Sequence, residues 1–232
     1  MPASALMCPR ARIYFDCVVG TGLFLFLEAM SEFSPIDLQR FLAYLAAAMV
    51  AATLRLRIPG IPTTFSPAFA FVLIAISDLS AGEAVLIACI SVLVQCLWGP
   101  PTTRSPRKVV FNLAAVAIGS MAAYNLSRLF QHHEIREDVR LLPVAALVCF
   151  LCNTSLVSGM IATKEQELFR TVWKVLSKHT VPYYLLGSLI AAWTIMVNHA
   201  WGWRFGLLAV PALAVLYQAY RLYLRKRGAD AA

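Results

Sequence analysis

Two carboxylates, Asp16 and Glu28, stand inside an otherwise apolar run and are the first residues here whose chemistry asks for an explanation. A charge at the centre of a membrane helix costs about 2.5 to 3.5 kcal/mol on insertion scales, so an ionisable group at depth is a functional candidate. The two lie near opposite ends of the run, and an ideal helix points them about 120° apart. Water or snorkelling reaches such positions, so a structural role stands beside ligand binding. No Lys, Arg or His lies mid-run to partner them, and a proton relay or charge-coupled pump lacks its usual parts.

Uncharged polar groups are more numerous. Gln95, Asn112, Asn125, Asn153, Thr154, Asn198 and Gln218 interrupt apolar helices. Asn112 and Asn153 lie deep in their runs and, with Gln95, are expected to line a polar cavity for a small neutral or weakly polar ligand. The alternative is interhelical hydrogen bonding at close crossings marked by Gly119, Ser120, Ser158 and Gly159, worth about 0.6 kcal/mol per contact. Thr63-Thr64-Phe65-Ser66-Pro67 and Thr180-Val181-Pro182-Tyr183-Tyr184 resemble helix starts, with a hydroxyl cap and Pro in the first turn. If such a start is unwound and faces a ligand, Thr64, Ser66, Tyr183 and Tyr184 join the binding candidates.

Cys149-x-x-Cys152 has redox or metal spacing, yet it lies inside an apolar run without a second pair or a nearby His. His132-His133-Glu134, with Glu137 and Asp138, reads as a solvated loop before it reads as a weak divalent-ion site. No nucleophile elbow, phosphate-binding glycine loop or metalloprotease helix occurs. We therefore expect no catalytic residues, no metal and no cofactor within this chain.

The elements that must position these groups are membrane helices. Hydrophobic residues make up 60% of the 232 and charged residues 14%, with a mean hydropathy of +0.70. One soluble core does not hide that much apolar surface. Apolar runs at 13–30, 38–54, 65–79, 81–98, 109–129, 141–162, 181–200 and 205–223 predict an all-α polytopic membrane bundle of about eight spans with short loops, forming a single transmembrane domain. The third run is short for a hydrocarbon core about 30 Å thick and is expected to tilt or to re-enter. Residues 164–179 place Leu168, Val172, Val175 and Leu176 at helical spacing among charges, the pattern of an interfacial amphipathic helix or of a short soluble connector.

The net charge of +8 does not imply nucleic acid, because the basic residues are scattered between apolar runs. They report topology. With eight spans, fifteen of the 20 Lys and Arg residues, among them Arg10, Arg55, Arg107, Lys164, Lys174 and Arg225, fall on one side. The other side receives Arg40, Arg128, Arg136, Arg140 and Arg204, together with the acids Asp37, Asp78 and Glu83. Since short cytoplasmic loops retain positive charge, both termini are expected inside, in a bacterial inner membrane. The six cysteines lack the paired spacing of a secreted disulfide framework and are expected to be free thiols.

An ordered series of short motifs carries a resemblance. Arg55-Leu-Arg-Ile-Pro-Gly60 and Thr64-Phe65-Ser66 lead into Phe69 to Ala75. Gly82-Glu83-Ala84-Val85, Val94-Gln95, Val110-Phe111-Asn112, Asn153-Thr154, Pro182-Tyr183-Tyr184-Leu185 and the exit Tyr217 to Tyr223 follow. Over about residues 50 to 223 the chain resembles the MASE-like multi-span sensory region of bacterial GGDEF and HD-GYP proteins of cyclic-di-GMP signalling. That resemblance implies a sensory input module that relays through its last helix, with Tyr217, Tyr220 and Arg221 as relay residues, to a cytoplasmic output domain or partner protein. Homodimerisation is expected if the output enzyme is dimeric. The rival reading is a small-molecule transporter or substrate-capture subunit, although its expected mark, helices interrupted at the midplane, is not seen, since the Pro and Gly segments fall at span ends.

Overall fold

Where the apolar runs lack a breaker, the backbone closes its hydrogen bonds within helices, and a breaker or cap separates one helix from the next. The computed structural model describes residues 8–31, 33–35, 37–54, 56–57, 64–98, 105–131, 138–215 and 218. Its helices are α1 (Pro9–Ser31), α2 (Leu38–Thr53), α3 (Ala68–Asp78), α4 (Ala81–Leu97), α5 (Pro106–Gln131), α6 (Asp138–Glu165), α7 (Phe169–Trp201) and α8 (Trp203–Gly206), the last extended by an apolar helical stretch over Trp203–Val215. The result is an all-α helical bundle. A two-residue antiparallel ladder, Leu56–Arg57 with Thr64–Phe65, is a minor addition before α3.

Local chemistry explains several boundaries. Asp37 caps α2 by accepting from the Arg40 amide at 3.0 Å. Ser80 and Glu83 form a reciprocal capping box on α4, so a single turn separates α3 from α4. The Glu83 side chain spent on this cap is buried, although its charge reads as an outer-loop residue in the sequence.

Among the described residues four helices, α1, α5, α6 and α7, are long and apolar enough to cross a membrane. Helix α3, by contrast, spans 11 residues, about 16 Å at 1.5 Å per residue. It is also the most enclosed element, for Ala68, Ala70, Phe71, Val72, Leu73, Ile74, Ala75 and Ile76 are all buried. It packs against α2, α4, α5, α6 and α7. An element apolar all round needs neighbours on every side, and the bundle is built around this one.

Helix α7 differs from expectation. Residues 169–179 do not form a separate helix but run unbroken into the predicted seventh span, giving one helix of 33 residues, about 50 Å long. No breaker stands between Phe169 and Val181, and Pro182 is accommodated in the interior. Thr180 therefore caps nothing. Its hydroxyl donates back along the helix to the carbonyls of Leu176 at 3.0 Å and Ser177 at 3.4 Å. Since a span needs about 30 Å, one end of α7 must project beyond the hydrocarbon.

Candidate functional site

Two side-chain clusters sit at the two ends of α3, and α7 contributes to both. At the Asp78 end, the carboxylate is 4% exposed and receives three donors. Arg40 of α2 pairs with it through Nη2, the Tyr44 hydroxyl donates at 3.0 Å, and Asn198 Nδ2 of α7 approaches at 3.4 Å. Tyr44 Oη in turn accepts from Asn198 Nδ2 at 2.8 Å and from Arg40 Nε at 3.4 Å. Arg40 is one helical turn before Tyr44, which brings both to the same face of α2. The guanidinium also lies 5.5 Å from the Tyr44 ring centroid.

The Asn198 amide orientation follows from this geometry, because a flipped amide would aim its oxygen at the carboxylate. Oδ1 is left without a partner among the described residues, in a buried side chain. What covers it is Gly206 of α8, where even a Cβ would fall 1.9 Å from Oδ1. Only glycine permits this approach. Trp203 sets its ring edge-on to Tyr44 at 6.4 Å, so α8 closes the cluster from the other side of α7.

The Ser66 end is aromatic and neutral. Tyr183 donates to the Ser66 carbonyl at 2.8 Å, and Ser66 Oγ donates to the Ala51 carbonyl at 2.9 Å, tying the start of α3 to α7 and α2. Asn153 Nδ2 of α6 donates to Tyr184 Oη at 3.1 Å. Phe69 lies 4.6 Å from Tyr184 and 5.7 Å from Tyr183, while Phe150 lies 5.3 Å from Tyr184. Gly187 leaves the space that Phe69 occupies, since a Cβ there would fall 2.6 Å from Phe69 Cδ1.

Of the residues singled out from sequence, the fold thus brings Ser66, Asn153, Tyr183 and Tyr184 together. Asn112 is exposed on α5, where its amide donates to Cys96 Sγ at 3.8 Å, and Gln95 is half-buried one residue earlier on α4. Asn112 and Asn153 therefore have separate partners. Asp16 and Glu28 lie on the exposed face of α1 with Leu23, Phe24 and Leu27, and their carboxylates take part in neither cluster. The Thr64 backbone pairs with Arg57, while its side chain lies outside the described residues, as do Tyr217, Tyr220, Arg221 and the His132-His133 segment. All six cysteines are unpaired, and Cys149 of the Cys-x-x-Cys pair donates to the Gly119 carbonyl at 3.6 Å.

Of the Asp78 cluster, the sequence singled out only Asn198 as a polar group in need of a partner. Arg40 and Asp78 read as loop charges on one side of the membrane, and Tyr44 was not among the candidates. One usable signal was present in the acid ending a run too short to reach the surface.

A part-buried ion pair at one end of a largely enclosed apolar helix, four helices of spanning length among the described residues and a short closing helix make up a helical bundle of the membrane-protein type. The sequence pattern of the MASE9 family, a family of membrane-associated sensory domains, matches residues 33–223, and the chain belongs to that family. The match takes in both clusters and begins after α1. No curated protein and no solved structure matches the chain.

Proposed function

We propose that this chain is the input module of a bacterial inner-membrane signalling protein, in which a ligand or membrane state shifts the bundle and the shift leaves through the last helix. Its output would be a cytoplasmic domain or partner, with cyclic-di-GMP signalling as the pathway class the sequence resemblance suggests. Both chain ends would then lie in the cytoplasm.

The observation that carries this reading is the contact of Asn198 with Gly206. A buried acceptor without a donor costs about 1 to 3 kcal/mol. Here that cost is borne only while α8 covers Oδ1. Displacing α8 admits water or another donor to Asn198, so the closed arrangement has an alternative close in energy. An input can bias such an equilibrium only through differential affinity for the two states. The same amide holds Tyr44 and Asp78, so rearranging the ion pair reaches α8 through one side chain.

Hydrogen–deuterium exchange on the full chain in lipid nanodiscs tests the coupling. Asn198→Leu should change protection around Asp78 and, together with it, over Trp203–Val215. If Trp203–Val215 keeps wild-type protection while the Asp78 end loosens, α8 is not coupled to the cluster and the proposed route is wrong.

A further inference from the structure

The rim of the Asp78 cluster holds two guanidinium groups separated by two rings. Arg204 lies 5.6 Å from the Trp203 ring centroid, Trp203 stands edge-on to Tyr44, and Arg40 lies 5.5 Å from the Tyr44 ring centroid. Arg204 is exposed, and the ring of Trp203 is its described contact. Arg40 is the accessible half of its pair, 27% exposed against 4% for Asp78. Its described bonds use Nε and Nη2, leaving Nη1 of a five-donor group uncommitted.

The two members of the pair are also unequal in what else holds them. Asp78 keeps the Tyr44 hydroxyl and the Asn198 amide as donors if Arg40 turns away. Arg40 has only the Asp78 carboxylate as its anionic partner among the described residues. An incoming anion can therefore take the guanidinium without stripping the buried carboxylate of every donor, which is the usual reason such exchanges are forbidden. Trp201 and Phe205, which flank Trp203 and Arg204 in the sequence, are exposed and stack near one another, in keeping with the depth at which aromatic side chains meet headgroups.

We propose that Arg40, Trp203 and Arg204 form a binding site for the carboxylate or phosphate of an amphipathic ligand, whose body lies against Trp203 and whose anion competes with Asp78 for Arg40. This names the ligand class for the input module proposed above and rests on that reading for its consequence, though not for the binding itself. Guanidinium recognises both anions through charged, often bidentate hydrogen bonds, and a soluble organic acid and an acidic lipid headgroup offer the same chemistry.

The test follows intrinsic tryptophan fluorescence of the full chain in nanodiscs at constant ionic strength. One arm titrates benzoate into discs of phosphatidylcholine, and the other raises the share of phosphatidylglycerol in the disc. A saturable change in the first arm supports a soluble acid, and one confined to the second supports a headgroup. In either case Arg40→Gln, which retains an amide donor for Asp78, should weaken the response about tenfold, the loss of one charged contact. Arg204→Gln removes a charge from an exposed position and should weaken it by a smaller factor without disturbing the fold. No saturable change in either arm, or a change that both variants retain, overturns the site. The exchange experiment on Asn198→Leu contains no anion, so coupling of α8 and anion binding fail separately.

Discussion

The two ends of α3 are held by opposite chemistries. At the Ser66 end, Phe69, Phe150, Tyr183 and Tyr184 pack ring against ring, and their polar atoms are satisfied by Asn153 and by backbone carbonyls. At the Asp78 end a charge pair is shared among three helices, one member reaches the rim, and Asn198 Oδ1 is buried without a donor among the described residues. Dense apolar packing has one good arrangement and resists small displacements. A polar network with a spare donor and an orphaned acceptor has at least two arrangements, because water or a ligand can replace each internal partner. The comparison makes the aromatic end the fixed point and the charged end the moving one.

The largest expected effect breaks the charged end. Arg40→Met takes the charged partner from Asp78 and leaves it only the neutral Tyr44 and Asn198 donors, which should destabilise the protein by about 3 kcal/mol, seen as a lowered melting temperature in detergent. Adding Asp78→Leu should restore most of the loss; a double variant as unstable as the single one would show that the pair is not the cause. Gly206→Ala comes next. Its methyl group would meet Asn198 Oδ1 and the Thr194 side chain, and overpacking of this kind costs about 1 to 3 kcal/mol. The loss should appear as exchange localised to Trp203–Val215, whereas Gly187→Ala, which crowds Phe69, should lower stability across the bundle without singling out α8.

A smaller effect sharpens the contrast from the aromatic side. Tyr184→Phe removes the acceptor used by Asn153 and should cost about 1 kcal/mol, leaving exchange over Trp203–Val215 as in the wild type. A change there would mean that both ends signal. Smallest of all, Asp16→Asn on the exposed face of α1 should leave both the melting temperature and the anion response unchanged. A loss of response would return Asp16 to the site.

Much of the fold was legible because hydrophobic runs and breakers are local. Ser34-Pro35, Gly99-Pro100-Pro101 and Gly202 punctuate the chain in the sequence, and the missing boundary at Thr180 was a misreading of one proline. A Pro in the first turn and a Pro tolerated in a helix interior look alike until the preceding residues are seen to continue the helix. The site was legible only in part. Ser66, Asn153, Tyr183 and Tyr184 stood out because polar groups in apolar runs need partners wherever they are, although which partners they take is a matter of packing.

The sequence by itself determined that this chain is a bundle of apolar helices, that its third apolar run is the shortest, and which polar side chains must find partners in it. The family follows from the same linear pattern. Only the tertiary structure decided that Asp78, counted in the sequence among outer-loop acids, has a buried side chain. Its partners Arg40, Tyr44 and Asn198 are 38, 34 and 120 positions away, and no periodicity relates them. The physical reason is the shortness of α3, since a helix of 11 residues enclosed by longer neighbours ends inside the bundle, and the charge it ends on must be answered there.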